Sequence, residues 1–184
     1  MPRPEIRTER LILRRWRAED VDPYVAICVD PGVMRWIGDG QTRSRQECAD
    51  AIGRFEASWE RNGYGLFALT LKGTDQFIGF AGVSDPAFLP EVMPAVEIGW
   101  RLARDNWGQG LATEAARAVL QFALDDVGLT RVISIIQVGN SGSERIAQKL
   151  GMTVERETTD PTCGRRVRVY ESGPVSPSCG SPVT

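Results

Sequence analysis

The sequence predicts a mixed α+β domain, and three observations carry that reading. Segments with strand and helix periodicity follow in the order strand, two helices, three strands, helix, strand, helix, two strands, which is a mixed arrangement rather than a strict βα alternation. One of those strands empties through a glycine turn, Gly108-Gln109-Gly110, straight into a helix. The 184 residues, 42% hydrophobic and 25% charged, are enough to bury one core. The expected organisation is a single domain over residues 1–171 and a flexible tail over 172–184, where SGPVSPSCGSPVT has little to pack.

Taken in order, Arg10 to Trp16 reads as a strand with Leu11 and Leu13 on one face. Arg17 to Val29 reads as a helix opened by the charges of Glu19 and Asp20 and stopped by Asp30-Pro31-Gly32. Ser44-Arg45-Gln46-Glu47 has the form of a capping box for a helix burying Cys48, Ile52, Phe55 and Trp59, which Asn62-Gly63 closes. Leu66 to Leu71 and Phe77 to Val83 form a hairpin with turn residues Gly73, Thr74 and Asp75. The prolines at 86, 90 and 94 make Asp85 to Pro94 a loop, expected beside the mouth of the site. Val96, Ile98, Trp100 and Leu102 alternate as a half-buried strand, and Leu111, Ala115, Ala118, Val119 and Phe122 recur at helical spacing. Arg131 to Val138 is a β-branched strand, and Ser141-Gly142-Ser143-Glu144 reads as a second capping box for a helix ending at Gly151. Thr153 to Glu157 and Arg165 to Tyr170 make the last hairpin.

The turn after the 96–102 strand is where function shows first. A helix start leaves its first N–H groups unpaired and carries partial positive charge, so glycines there let an anion reach the backbone. It is not the dinucleotide fingerprint, because Thr113 stands where a third Gly or Ala belongs, and the Gly-Lys-Ser/Thr of a P-loop is absent. Trp107, Gly108, Gln109, Gly110, Leu111, Ala112 and Thr113 resemble instead the pyrophosphate turn of the GNAT acyltransferases, Gln/Arg-x-x-Gly-x-Gly/Ala. Gly110 and Ala112 fill its last fixed positions, and Trp107 replaces the usual Gln or Arg. Two further blocks, TERLILRR from Thr8 and QVGNSGSERIAQKLGM from Gln137, are similar to the opening strand and closing helix of the RimJ/RimL-like branch.

The resemblance implies a mixed, mostly antiparallel seven-stranded sheet splayed between its fourth and fifth strands, with about four helices and the coenzyme in the opening. It implies acetyl-CoA as co-substrate, held by the turn and by Ile98, Gly99, Trp100, Asn140 and Ser143. The backbone N–H groups from Ile98 to Trp100 would polarise the thioester if that strand is locally irregular, as in the family. The tyrosine that many GNAT enzymes use to protonate the leaving thiolate is replaced by Ala147, and Ser143 resembles the serine suggested for that role in the RimL-like branch. Ser143 equally suits helix capping. Lys149 and Arg145 could approach the coenzyme's phosphates or serve as ordinary surface cations.

Composition narrows the chemistry further. The chain has no histidine, which removes Ser-His-Asp hydrolysis and imidazole bases. Direct attack of an amine on a thioester needs neither. Glu97, at the start of the strand leading to the turn, is the candidate general base; the alternatives are a solvated strand-end carboxylate or a salt-bridge partner for Arg101. Trp36, Trp100, Phe88 and Met93 could line an acceptor slot, and Asp39, Asp85, Glu91 and Glu97 could attract a cationic amine. The expected acceptor is a protein or peptide N-terminal amine, with small amines such as antibiotics, polyamines or amino acids, or a catalytically silent coenzyme A-binding domain, as rivals. The net charge of −2 argues against nucleic acid as partner, and no apolar run approaches the ~20 residues of a membrane span. A start unlike a signal peptide makes the cytoplasm the expected compartment. Cys28, Cys48, Cys163 and Cys179 lack Cys-x-x-Cys spacing, so free thiols are expected and no metal. A homodimer is left open.

Overall fold

The computed structural model describes residues 4–173, so the expected tail lies, from residue 174 on, outside the described residues, as does Cys179. Eight strands form one sheet in the order β1-β2-β3-β4-β5-β6-β8-β7. They are β1 (Ile6–Arg7), β2 (Leu11–Arg14), β3 (Leu66–Leu71), β4 (Phe77–Ser84), β5 (Val96–Leu102), β6 (Val132–Gln137), β7 (Thr153–Thr159) and β8 (Arg166–Glu171). The helices are α1 (Val21–Cys28), α2 (Pro31–Met34), α3 (Arg45–Asn62), α4 (Leu111–Gln121) and α5 (Ser141–Lys149). The mixed α+β architecture is as the sequence predicts, with one more strand and one more helix. Both additions, β1 and the single turn of α2, are too short for periodicity to reveal. Asp30, read as part of a helix stop, also starts α2: its carboxylate accepts from Gly32 N–H at 2.8 Å, with Pro31 in the first turn.

Every neighbouring pair is antiparallel except β5 and β6, which run parallel and pair only at Val96–Val132 and Glu97–Ile133 before they part. That divergence falls where the splay is expected. One face of the sheet packs on α4 and α5 through Leu13, Phe67, Val83, Ile98, Leu111, Ala115, Val119 and Ala147. On the other face α1 and α3 bury Trp16, Tyr24, Cys48 and Ile52 against Leu66, Ala68 and Phe80 of β3 and β4. The 85–94 loop covers the far half of that second face, with Leu89 and Val92 buried on Ile133, Val167 and Val169, while Phe88 and Met93 stay exposed.

Local signals explain most boundaries. Ser44 and Glu47 form the predicted capping box of α3, and Gly63 ends that helix in the left-handed conformation at φ 74°. Two expectations need correction. The helix expected over 17–29 divides into a tight turn over Ala18–Asp20 and α1; Asp20, at the junction, accepts from Arg17 N–H at 2.8 Å. It is buried in a bidentate pair with Arg14, both contacts at 2.8 Å. At α5 the cap is Asn140 rather than Ser141, its Oδ1 accepting from Ser143 N–H at 3.3 Å, and Glu144 turns away to Arg168 at 2.7 Å.

Candidate active site

The turn between β5 and α4 has the geometry that an anion site needs. Gly108 and Gly110 take φ of 73° and 79°, which L side chains rarely adopt, and a Cβ on Gly108 would meet nothing within 4 Å. Gly110 is the N-cap of α4 without any side-chain cap, and the first bond of the helix runs from Glu114 N–H to Gly110 C=O. The N–H groups of Leu111, Ala112 and Thr113 therefore precede the helical ladder and sit at its positive end, next to the open space over Gly108. Leu111 itself is a core side chain, so only its backbone is available. Trp107 is half exposed, and its indole N–H donates to Leu102 C=O at 2.9 Å, tying the turn to the end of β5. Gln109 donates from Nε2 to Asp105 C=O at 2.8 Å.

Sequence reasoning missed what braces this turn. Glu114, in the first turn of α4, accepts from Thr8 Oγ1 at 2.6 Å, from Arg10 N–H at 2.8 Å and from Arg10 Nε at 2.7 Å, and Arg10 also donates to Gln109 C=O at 2.9 Å. Burial opposes ionisation of Glu114, yet these bonds outweigh it and hold its pKa below the usual carboxylate value. The partners lie more than 100 residues apart in sequence, so no local signal joins them.

At the splay, Glu97 sits at the last position of β5 that pairs with β6. Ile135 N–H, which a continuing β5 would have met, donates instead to Glu97 Oε1 at 3.4 Å. Burial of the half-enclosed carboxyl, with a smaller contribution from Asp160, pushes the Glu97 pKa up to about 8 despite that bond. The pairing with Arg101 is not formed: Arg101 reaches Tyr24 Oη at 3.2 Å and lies over the Phe80 ring. The expected irregularity of this strand is also absent, because β5 keeps continuous register with β4 from Glu97 to Leu102. Ala103 N–H donates to Ile78 C=O, so by antiparallel alternation Gly99 and Arg101 address β4 while Ile98 and Trp100 turn their backbone groups to the gap. The parting of the strands, not a bulge, frees those donors.

Ser143 lies in the first turn of α5, beyond the carboxyl end of β6, and its Oγ makes no hydrogen bond among the described residues. Ala147 is fully buried in the core, so no hydroxyl enters from that position.

A family model described as an acetyltransferase (GNAT) domain matches residues 10–153. This chain belongs to the GNAT acetyltransferases. It is similar to YkkB of Bacillus subtilis, 30% identical over 166 residues covering 89% of this chain and 92% of that protein. It also resembles the uncharacterized N-acetyltransferase p20 of Bacillus licheniformis, 26% identical over 89% of this chain and 91% of p20. Among solved structures, an Agrobacterium tumefaciens acetyltransferase is 27% identical with a TM-score of 0.78, covering 92% of this chain and 94% of its own. A RimL ribosomal L7/L12 alpha-N-protein acetyltransferase in complex with coenzyme A shares the fold at a TM-score of 0.74 and 16% identity, covering 92% and 97%.

Within this GNAT fold the acceptor candidates do not gather into one slot. Trp100 shares the α4 face with Ile98 and Leu102 and packs against that core. Asp85 accepts from Tyr64 Oη, Asp39 pairs with Arg43, and Glu91 is exposed beside exposed Phe88 and Met93. Trp36 lies with Arg35, Gln137, Val138, Arg165 and Arg166 around a cavity of about 390 Å³ on the face that carries Glu97 and Ile135. The segment after α2 is clamped there: Gln137 Nε2 donates to Gly38 C=O at 2.8 Å, and Arg165 donates to the carbonyls of Arg35 and Asp39 at 2.7 Å each. Cys28 and Cys48 are buried free thiols, and burial pushes the Cys48 thiol up to about 12. No described helix is long and apolar enough to cross a membrane.

Proposed function

We propose that this acetyl-CoA-dependent N-acetyltransferase acts on a protein or peptide N-terminal amine by direct attack in a ternary complex, with Glu97 as general base. When bound, acetyl-CoA supplies the thioester whose C–S bond breaks as the C–N bond forms. The amides of Gly108 to Thr113 would hold its pyrophosphate, Ile98 and Trp100 N–H groups would face its pantetheine and carbonyl, and Asn140 and Ser143 would border its thiol end. The amine would enter from the opposite face, where Glu97 points.

The place of Glu97 where β5 and β6 part, its carboxyl turned to Ile135 N–H and pushed up by burial, carries the assignment. An α-ammonium near pKa ~8 and a carboxyl at about 8 exchange a proton almost without bias. An ordinary glutamate near ~4.3 would have to take that proton uphill by roughly 5 kcal/mol. A lysine ammonium at ~10.4 remains unfavourable by about 3 kcal/mol even here. The three arginines around the Trp36 cavity support a peptide acceptor over polycationic antibiotics or polyamines, which they would repel.

The test is acetylation of short peptides, each with one lysine and a free or blocked N-terminus, read by mass spectrometry beside aminoglycosides and polyamines. We expect the α-amine to be modified. Glu97→Gln should lower turnover by ~10²–10⁴-fold with coenzyme affinity kept, and Ser143→Ala far less. Acetylation confined to lysine, or to the small polyamines, would overturn the acceptor; wild-type turnover by Glu97→Gln from pH 6 to 9 would overturn the base.

A further inference from the structure

We propose that the acceptor is an acidic peptide: the cavity beside Trp36 takes the side-chain carboxylate of the residue that follows the reactive N-terminus, and Arg35 and Arg165 hold it there. The proposal rests on the reading of Glu97 as the base for a peptide α-amine and names the substrate class of that site. One strand sets the placement. Glu97 Oε1 accepts from Ile135 N–H at 3.4 Å, and Gln137, two residues further along β6, turns its side chain to the same side and lines the cavity. Two residues of strand carry the cavity about 7 Å beyond the base. At its other edge the Trp36 ring stands 3.7 Å from the position a Cβ on Gly139 would take, so the cavity adjoins the turn that leads into α5.

Two of the three guanidiniums around this cavity carry charge that no carboxylate answers. Arg165 donates to Arg35 C=O and Asp39 C=O at 2.7 Å each and to Gln137 Oε1 at 3.0 Å, all neutral oxygens, and among the described residues no acid pairs with it. Those bonds fix its position while leaving its charge and two of its five N–H groups for a ligand. Arg35 is exposed, lies over the Trp36 ring at 4.7 Å and has no acidic partner among the described residues. Arg166 differs, because Glu157 pairs with it. The nearby acids are engaged elsewhere, Asp39 with Arg43 and Asp160 with Thr162. A half-buried cation held only by neutral acceptors is therefore ready for a carboxylate, and a guanidinium is the group that binds one best. Distance selects which carboxylate. In a free amino acid it stands ~3 Å from the α-nitrogen, whereas an acidic side chain on the second residue of an extended peptide stands ~6–8 Å away, which matches the step from Glu97 to the cavity.

The probes are three tripeptide amides that begin with alanine and carry aspartate, alanine or lysine second, with acetylation of the α-amine followed by mass spectrometry at low salt. In kcat/KM the wild type should favour the aspartate peptide over the alanine peptide by about 5- to 30-fold and should take the lysine peptide least well. Added salt should shrink the ratio. The clamp uses only the backbone carbonyl of Arg35, so changes to its side chain spare that bond. Arg35→Gln should bring the aspartate-to-alanine ratio towards one, and Arg35→Glu should turn the preference to lysine. Arg165→Gln gives up the clamp with the charge, and Gln137→Leu loosens the clamp but keeps both charges; the first should lose the preference and the second retain it. Equal rates on the three peptides, an unchanged ratio in Arg35→Glu, or equal loss in Arg165→Gln and Gln137→Leu would overturn the proposal while the peptide reading stood. Acetylation of free glutamate or a polyamine with none of the peptides modified would overturn both, and failure of the base would show separately, in the kinetics of Glu97→Gln.

Discussion

A carboxyl tuned by burial, the proposed base Glu97, should leave its mark on stability, and Glu97→Gln exposes it without any knowledge of the acceptor. The folded protein holds the Glu97 proton up to about pH 8, whereas the unfolded chain releases it near 4.5. Between those values the native state binds more protons, so stability falls as pH rises through the window and changes no further above it. At about 1.4 kcal/mol per pH unit the full span would approach ~5 kcal/mol. The carboxyl is half-buried rather than sealed, and water relaxes part of that cost, so the expected loss is about 1–3 kcal/mol. Glutamine carries no proton to lose. Urea unfolding of both proteins at pH 5 and pH 9 should show the wild type weakening relative to Glu97→Gln by that amount, with the variant the more stable of the two at pH 9. Parallel pH dependence of the two proteins would refute the burial argument and with it the tuning of the base.

Gly110→Val places a β-branched residue at φ 79°, in the cradle at the start of α4, and should weaken coenzyme A binding by about 10- to 100-fold in calorimetry. Gly63→Ala, at φ 74° with open space around its Cβ at the end of α3, should carry similar strain and leave coenzyme affinity unchanged; equal losses in both would count against the turn. Asp20→Asn breaks a pair whose side chains are 7% and 2% exposed and should cost about 3–5 kcal/mol in urea unfolding, a loss below ~1 kcal/mol being incompatible with an uncompensated buried Arg14.

What the sequence made legible was local. Gly108 and Gly110 declared the strand-to-helix turn because left-handed φ leaves few other residues, and Ser44, Glu47 and Gly63 declared both ends of α3. Trp100 was readable too: the alternation that sends Ile98 and Leu102 into the core sends Trp100 with them, away from the acceptor side where it was expected. The rest depends on contacts between distant segments. Thr8 and Arg10 meet Glu114, more than 100 residues further along the chain.

The divergence of β5 and β6 links these observations physically. Two parallel strands that part must leave backbone groups without their ladder partners, and a buried orphan N–H or C=O costs free energy comparable to a lost hydrogen bond. Here Glu97 answers one of them, Ile135 N–H, and the weak bond it gains at 3.4 Å is too little to offset the burial of its charge. The same gap leaves the backbone groups of Ile98 and Trp100 without strand partners on that side, where the proposed coenzyme site lies. A chain without histidine thus holds a carboxyl that burial at the parting strands keeps protonated to about pH 8, and that reluctance to ionise is both what lowers stability above pH 4.5 and what would match the proposed base to an α-amine. Any substitution that lets β5 and β6 continue pairing past Glu97 would relieve the first effect only by removing the second.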